Sequence, residues 1–256
     1  MTTIAVIQAR TGSTRFPSKV LADLNGRPML SHVVERVARC RSVDRVVVAT
    51  STGPSDDAVA ELAVRAGASV TRGPLDDVLR RFVLAAHEHS ASVVVRITAD
   101  CPLVDPRLID TLVELRAQEG ADYASNVDPR TYPDGYDVEV MTRECLERLD
   151  RDSTRPDERE HVTLRVREHP DQYRSARLCL PRDLSEVRLT VDFPEDLVKI
   201  GRVLHALLPD SAPGLEAVLR VVEAEEGLPG VGPLEPGALV GAQPSGERQD
   251  PGGLLQ

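Results

Sequence analysis

The first 119 residues alternate short apolar segments with segments of helical spacing, and this alternation limits the fold more than any other feature. Four apolar segments are typical of buried strands; they lie at residues 2–7, 43–50, 68–71 and 91–98. Each is followed by a helical pattern, at residues 28–40, 55–66, 76–89 and 105–119. Strands separated by helices form mostly parallel sheets with helices on both faces. The sequence therefore predicts a three-layer α/β fold.

The pattern changes after this alternating part. Residues 122–185 open with a turn-rich stretch and are interpreted as an insertion, a lid packed on a single domain that spans residues 1–208. Further strands are predicted at 136–141, 173–180 and 187–191, and further helices at 142–149, 156–168 and 194–207. One more helix is predicted within residues 209–228. In residues 229–256, 12 of 28 residues are Gly or Pro, which predicts a disordered tail.

Composition narrows the class of protein. The net charge is −10, so a nucleic-acid partner is not expected, and a hydrophobic content of 41% is enough for a core. The sequence contains neither an apolar run of membrane-spanning length nor a secretory leader, which predicts a cytoplasmic protein without a membrane partner. The 4 cysteines are widely spaced, so reduced thiols are expected.

The loop after the first predicted strand, residues 8–19, carries three cations and no acidic residue. Lys19 is one of two lysines in a chain with 29 arginines (31 Lys+Arg minus 2), and Lys is a compact point charge whereas Arg is a planar fork. Gly12 permits close approach of the backbone, and Ser13 adds a hydroxyl. With Arg10 and Arg15, these residues favour a polyphosphate site over a basic surface loop.

The loop matches neither common glycine-rich phosphate motif. It lacks Gly-x-x-x-x-Gly-Lys-Ser/Thr, and it contains one glycine where Gly-x-Gly-x-x-Gly needs three. A P-loop NTPase and a Rossmann dehydrogenase are therefore disfavoured.

Acidic residues follow two later strands at the same expected edge of the sheet. Asp100 ends the fourth strand, and Asp192 ends the strand predicted at 187–191. Two carboxylates at neighbouring strand ends are able to share Mg²⁺, although helix capping is the alternative for Asp100. For Glu195 and Asp196, capping and first-turn charge are the favoured interpretation.

Other polar residues have two interpretations each. Arg72 and Gly73 end the third predicted strand and either contact a nucleobase or phosphate or form a surface turn. Arg96 lies inside an apolar strand, so it pairs with a buried carboxylate or faces the site. Asp137 and Glu139 share one face of a strand, where they bind sugar hydroxyls or are solvated. A lone His161 is more often structural than a ligand.

Six sequence blocks follow one another across about residues 3–207. They are QARTGSTRFPSKVL (8–21), RG with DDVL (72–79), TADCPLVD (98–105), SN with YPDGYDVE (125–139), EHVT (160–163) and LTVD with PED (189–196). In this order they resemble the signature of the cytidylyltransferases that make CMP-activated acidic sugars. The most similar branch is the spore coat polysaccharide biosynthesis protein F type.

This resemblance implies a Rossmann-like nucleotidyltransferase fold and Mg²⁺-dependent transfer of CMP from CTP to an acidic sugar, with release of pyrophosphate. It implies catalytic roles for Arg10, Lys19 and Asp100, and a metal held by Asp100 and Asp192. The implied nucleotide-binding residues are Ala9, Arg10, Gly12, Ser13, Arg15, Lys19, Arg72, Gly73 and Thr98, of which Ala9, Arg72 and Gly73 contact cytosine. The implied acceptor-binding residues are Asn126, Tyr132, Asp134, Gly135, Asp137, Glu139 and His161.

Several alternatives remain open at this point. The acceptor is a small acidic molecule, either a nonulosonic acid, another acidic sugar or a phosphonate of specialised metabolism. A nucleotide-sugar glycosyltransferase would require an Asp-x-Asp motif after a strand, which the sequence lacks. A scaffold that had lost catalysis would have damage at Arg10, Lys19, Asp100 or Asp192, and all four are intact. The family resemblance also implies a homodimer, with 122–185 as its interface.

Overall fold

The structure is a computed structural model that describes residues 1–208 and 213–226. In the described ranges the strands are β1 (Thr3–Gln8), β2 (Asp23–Leu24), β3 (Arg27–Pro28), β4 (Arg45–Ser51), β5 (Ser69–Gly73), β6 (Val93–Thr98), β7 (Tyr123–Ser125), β8 (Glu139–Thr142) and β9 (Ser175–Arg177). The α-helices are α1 (Met29–Val37), α2 (Asp57–Arg65), α3 (Val78–Glu88), α4 (Pro106–Gln118), α5 (Arg143–Asp152), α6 (Pro156–Glu160), α7 (Leu164–Glu168), α8 (Pro194–Ala206) and α9 (Leu215–Glu226).

A seven-stranded sheet in the order β5-β4-β1-β6-β8-β7-β9 forms the middle layer, and β2 and β3 form a separate hairpin. The β5/β4, β4/β1, β1/β6 and β7/β9 pairs are parallel, whereas β8 is antiparallel to both of its neighbours. Because β4 and β6 lie on either side of β1, the loop after β1 is at a topological switch point, where such sheets bind ligands. The prediction of a mostly parallel α/β sheet is confirmed.

Helices cover both faces because the side chains of β1 alternate. Ala5 and Ile7 pack in one core with α1, α2, α4, α8 and α9. Ile4 and Val6 pack in a second core with α3, α5 and α7. All four of these strand residues are fully buried, as expected for a central parallel strand.

Two predicted elements are wrong. Residues 187–191 form no ladder of the sheet; only Arg188 makes an isolated bridge, to Asp134. The position beside β6 is taken by β8, so this apolar segment instead bonds to loops, with Val191 N–H donating to Asp100 C=O over 2.9 Å. The helix predicted at 156–168 is broken into α6 and α7 around Val162, which has a φ of 49°.

Residues 122–185 supply β7, β8 and β9 to the sheet together with α5, α6 and α7. A lid role for this segment stays a prediction. The tail predicted at 229–256 lies outside the described residues. Among the helices of the described ranges, none combines the length and the apolar character that crossing a membrane requires.

Candidate active site

A cleft of about 350 Å³ opens at the carboxyl ends of β1 and β6. Its volume is in the range of small-molecule sites. Its walls are formed by Gln8, Ala9, Arg10, Gly12, Ser13, Thr14, Arg15, Lys19, Val20, Val78, Arg81, Thr98, Ala99, Asp100, Glu160, His161 and Asp192. The sequence predicted ten of these as site residues: Ala9, Arg10, Gly12, Ser13, Arg15, Lys19, Thr98, Asp100, His161 and Asp192.

The first loop is anchored at its base by a buried carboxylate. Asp56, which is 1% exposed, accepts hydrogen bonds from the backbone N–H of Thr11 and from its hydroxyl, each over 2.8 Å. The Ser51 hydroxyl donates to the other oxygen of Asp56. Ser18 adopts a left-handed φ of 57° and starts a short 3₁₀ helix, Lys19–Leu21. These contacts fix the base of the loop that carries the three cations. A Cβ added at Gly12 would meet no atom of the described residues within 4 Å.

Lys19 is the centre of the charged groups in the cleft. Its Nζ lies 2.9 Å from Asp100 Oδ2, 3.0 Å from Asp192 Oδ1 and 2.8 Å from the Val191 carbonyl oxygen. The side chain is 11% exposed. Both carboxylates thus contact the same ammonium group at the carboxyl end of β6, although they come from separate segments of the chain.

Electrostatics keep this group charged. Burial disfavours the charged form of Lys19, but Asp100 and Asp192 outweigh burial and raise its pKa. Burial likewise opposes ionisation of Asp192, yet hydrogen bonds from Lys19 and Arg188 lower its pKa. The site is an ion network at neutral pH.

Asp196 holds Asp192 in place. It accepts from the backbone N–H groups of Asp192 and Phe193 over 2.8 and 2.9 Å, at the start of α8. Arg188 donates to both carboxylates over 3.0 Å. The interpretation of Asp196 as a helix cap therefore agrees with its contacts, and Asp196 acts on the cleft only through its neighbour.

The opposite wall carries an ion pair that involves the first loop. Arg10 Nη2 lies 3.0 Å from Glu160 Oε1, with side chains 37% and 50% exposed. Glu160 ends α6, and His161 follows it in the break before α7. The break is fixed from beneath, because Thr163 donates to the buried carboxylate of Glu139 over 2.5 Å.

Gly135 is required where the chain around Asp134 contacts residues 187–190. Its φ is +108°, and a Cβ at this position would lie 2.5 Å from the Leu189 carbonyl carbon and oxygen. Asp134 N–H donates to Val187 C=O over 2.9 Å, and Leu189 N–H donates back to Asp134 C=O over 2.7 Å. This close contact holds the chain that leads into Asp192.

Arg72 and Gly73, predicted to contact a nucleobase, do not line the cleft. Arg72 donates to the carbonyl oxygens of Ser51 and Gly53 over 2.8 and 3.0 Å and pairs with Asp57 over 2.7 Å. Its guanidinium is occupied in supporting the loop after β4.

Most of the predicted acceptor-binding residues also lie outside the cleft walls; these are Asn126, Tyr132, Asp134, Gly135, Asp137 and Glu139. Asn126 is 1% exposed and bonds to the backbone of Tyr136 and Val138. Tyr132 is 1% exposed in the core. Asp137 is paired with Arg130 through two hydrogen bonds of 2.6 and 2.7 Å.

Glu139 is the clearest correction among these residues. It is neither solvated nor in the cleft but 2% exposed, and it pairs with Arg96. Tyr123 and Thr163 donate to its other oxygen, each over 2.5 Å. Of the two interpretations of Arg96, pairing with a buried carboxylate is the one observed.

Sequence reasoning missed Arg81 and Glu160. Arg81 is 1% exposed, lies on α3 and donates from Nη1 to the carbonyl oxygens of Pro74 and Leu75 over 2.7 and 2.9 Å. Burial and the nearby Arg10 charge lower the pKa of Arg81. A signal was present in the sequence, because Arg81 follows Val78 by three residues and therefore falls on the apolar stripe of its helix.

The fold and the cleft together define a class. A loop with three cations at the switch point of a mostly parallel sheet, facing two convergent carboxylates, is typical of an enzyme that handles a nucleoside triphosphate. The class is that of the nucleotidyltransferases.

Comparison with known proteins defines the family. Residues 4–209 match the model of the cytidylyltransferases. The chain is 36% identical over 202 residues to the spore coat polysaccharide biosynthesis protein SpsF of Bacillus subtilis, covering 76% of this chain and 83% of that protein. It is 42% identical over 145 residues to a 3-deoxy-manno-octulosonate cytidylyltransferase of Anaeromyxobacter, covering 54% and 57%.

The solved structure of a cytidylyltransferase from Leptospira borgpetersenii is 31% identical, with a TM-score of 0.84 over 89% of this chain and 96% of that one. This chain belongs to the cytidylyltransferase family and is a CTP-dependent nucleotidyltransferase.

Proposed function

We propose that this enzyme transfers CMP from CTP to a small acidic sugar or related acceptor and releases pyrophosphate, with Mg²⁺ as its metal. The observation that carries the proposal is the convergence of Lys19, Asp100 and Asp192 at the cleft, beside Arg10 and Arg15. In the reaction an acceptor oxygen attacks the α-phosphorus of CTP, and where this oxygen belongs to a hydroxyl group its proton passes to solvent water. The bond from that phosphorus to the bridging oxygen breaks, and pyrophosphate leaves with the electron pair.

The cations of the first loop suit the leaving group. Arg15 Nη2 lies 3.1 Å from Asp192 Oδ1, and Lys19 contacts the same oxygen. A triphosphate competes with these carboxylates for the cations, because phosphate oxygens carry more charge than one carboxylate. Cations held at the leaving oxygens stabilise the charge that develops on pyrophosphate.

The donor set also fits a hard divalent cation. Asp100 and Asp192 offer oxygen ligands only, and Mg²⁺ prefers one or two carboxylates together with substrate phosphates. These two residues would hold the ion, which supplies charge neutralisation at the phosphates when bound. Lys19 contacts one oxygen of each carboxylate, and ligation through those two oxygens would require Lys19 to exchange its carboxylate partners for phosphate.

The acceptor is proposed from the relatives. One relative is named for 3-deoxy-manno-octulosonate, an acidic sugar, and another for polysaccharide biosynthesis. A phosphonate of specialised metabolism is the second acceptor class of this proposal. A homodimer that uses 122–185 stays a proposal alongside these.

Pyrophosphate release from each of the four nucleoside triphosphates tests this function. The full chain is assayed with Mg²⁺, with Mn²⁺ and with chelator, against a panel of acidic sugars and phosphonates. The expected result is pyrophosphate release with CTP and with none of the other three nucleoside triphosphates. This release should require the metal and an acceptor of one class. Metal-independent release would remove Mg²⁺ from the proposal, and transfer from a nucleotide sugar in place of CTP would favour a glycosyltransferase.

A further inference from the structure

One aromatic ring is exposed beside the cleft. Among the exposed large apolar side chains of the described ranges, Phe193 is the one aromatic, at 37% exposure. It directly follows Asp192, which lines the cleft. The guanidinium carbon of Arg15 lies 5.2 Å from the centroid of the ring, and that of Arg188 lies 5.9 Å from it. Both distances are in the range of cation–π contacts, so the exposed ring is in contact with charged groups of the site.

The backbone of Phe193 is fixed at the start of α8. Its N–H donates to Asp196 Oδ2 over 2.9 Å, and its C=O accepts from the Asp196 N–H over 3.1 Å. Arg188 adds a further constraint, because it contacts the ring and also donates to the same Asp196 oxygen over 3.0 Å. The ring is therefore held in place and is able to restrain a side chain that has fewer contacts of its own.

Arg15 is the less constrained of the two arginines. Its side chain is 55% exposed, against 39% for Arg188, which donates hydrogen bonds to two carboxylates. Within the described residues Arg15 has one carboxylate partner, Asp192 Oδ1 at 3.1 Å, and Lys19 contacts that same oxygen over 3.0 Å. If Arg15 gives up this carboxylate, the Phe193 ring is the contact that remains to its guanidinium among the described side chains.

An aromatic ring and a phosphate use different parts of a guanidinium group. The ring attracts the positive charge and contacts the flat face, whereas phosphate oxygens accept hydrogen bonds from the N–H groups at the edge. The two interactions are therefore compatible, whereas phosphate and the Asp192 carboxylate compete for the N–H groups. A guanidinium that a ring already restrains also loses less side-chain entropy when it binds phosphate.

We propose that Phe193 is a positioning residue, which holds Arg15 at the cleft while the guanidinium exchanges the Asp192 carboxylate for the phosphates of CTP. Without the ring, an Arg15 side chain released by Asp192 would extend into solvent, and the triphosphate would have to order it again. The ring thereby raises the affinity for CTP although it contacts no phosphate itself. This inference rests on the proposed function and adds a residue that acts through Arg15.

Calorimetric titration of the full chain with CTP and Mg²⁺ tests the role of the ring. Phe193→Leu is expected to weaken CTP binding by about 3-fold, the size of a cation–π contact at an exposed site, whereas Phe193→Tyr should bind CTP as the wild type does. Val198→Ala is the control, since Val198 is an exposed apolar residue of α8 and its loss should leave the affinity unchanged. Unchanged binding in Phe193→Leu, or equal weakening in Phe193→Tyr, would overturn the inference.

A double-mutant cycle separates an action through Arg15 from a general structural effect of the ring. In an Arg15→Gln background the guanidinium is absent, so Phe193→Leu should change the CTP affinity by less than about 1.5-fold. A loss of about 3-fold that persists in this background would overturn the inference, because the ring would then act by another route. Failure of the wild type to bind CTP would instead contradict the proposed function itself, so the two failures are distinguishable.

Discussion

Two ion networks lie within a few residues of each other along the sheet, and they differ in what surrounds them. Around Lys19, the carboxylates of Asp100 and Asp192 are 27% and 16% exposed and face the cleft. Around Glu139, which is 2% exposed, Arg96 and two hydroxyl groups close the network within the protein. The first network has charges that a ligand is able to rearrange, whereas the second is complete without one.

The difference teaches that the same pairing of residue types serves two purposes. Breaking a closed, buried pair leaves a charge with no solvent to stabilise it, so the cost falls on folding. Breaking a pair at the cleft exposes the remaining charge to solvent and substrate, so the cost falls on catalysis. The following predictions test this separation, beginning with the largest expected effect.

Glu139→Gln is expected to lower the free energy of unfolding by about 3–5 kcal/mol, because it leaves the buried Arg96 without a counter-charge. Urea unfolding of the full chain measures the change. Glu35→Gln is the matched control, since Glu35 also pairs with two arginines but is 39% exposed, and a cost below about 1 kcal/mol is expected there. Equal costs for the two variants would contradict the distinction between closed and open networks.

Lys19→Met is expected to reduce the rate of pyrophosphate release by about 10²–10³-fold, because on the proposed function it removes one cation that stabilises the leaving group. The thermal midpoint of the unliganded protein should change little. Lys199→Met, which removes the only other lysine, serves as the control and should leave the rate unchanged. A Lys19→Met variant with a much lower thermal midpoint but an unchanged rate of pyrophosphate release would contradict the catalytic role given to this network.

Gly135→Ala is expected to lower the free energy of unfolding by about 2–3 kcal/mol. This cost exceeds that of a positive φ alone, because the new Cβ meets the backbone of Leu189. Gly120→Ala isolates the strain, since Gly120 also has a positive φ, of 56°, but its added Cβ would have no atom of the described ranges within 4 Å. Denaturant midpoints of both variants give the comparison. If they cost the same, the contact between residues 135 and 189 is not tight.

Acid should weaken the closed network in a way that Glu139→Gln abolishes. Burial opposes ionisation of Glu139, but Arg96 and the Thr163 hydroxyl outweigh it and lower its pKa. A lowered pKa means that the contribution is fully present above the unfolded value of about 4.3 and is lost as pH falls below it.

Unfolding free energies measured from neutral pH down to about pH 3.5 check this sign. The gap between the wild type and Glu139→Gln should narrow as the pH falls through that window. If the unfolding free energies of the two proteins stay the same distance apart over the whole range, the Glu139 carboxylate does not change its charge within it.

Local periodicity is the part of the fold that the sequence determines most directly. The alternating strand and helix segments up to residue 119 were predictable because buried parallel strands and amphipathic helices each leave a short-range pattern. The segment 187–191 has the same apolar pattern but lies outside the sheet. Its place depends on which strand occupies the edge of β6, and that is a long-range competition without a local signal.

The candidate site was predictable to the same extent. The residues of the first loop and the strand ends, such as Lys19 and Asp100, follow from topology alone, because parallel strands present their carboxyl ends together. The direction of a side chain does not follow: Arg72 turns to backbone carbonyl groups, and Glu139 turns inward to Arg96. Arg81 was missed because a charged residue is ordinarily assigned to the helix surface, although its place on the apolar stripe of α3 indicated burial.

The ion pair between Arg10 and Glu160 has a consequence for turnover. The Arg10 guanidinium has an anion 3.0 Å away, so on the proposed function triphosphate would bind by exchanging places with a carboxylate. The same exchange runs backwards when pyrophosphate departs, and the returning carboxylate fills the gap. On the proposed function, Glu160 is an internal competitor that weakens the grip on substrate and product alike and thereby shortens the residence time of pyrophosphate on the enzyme.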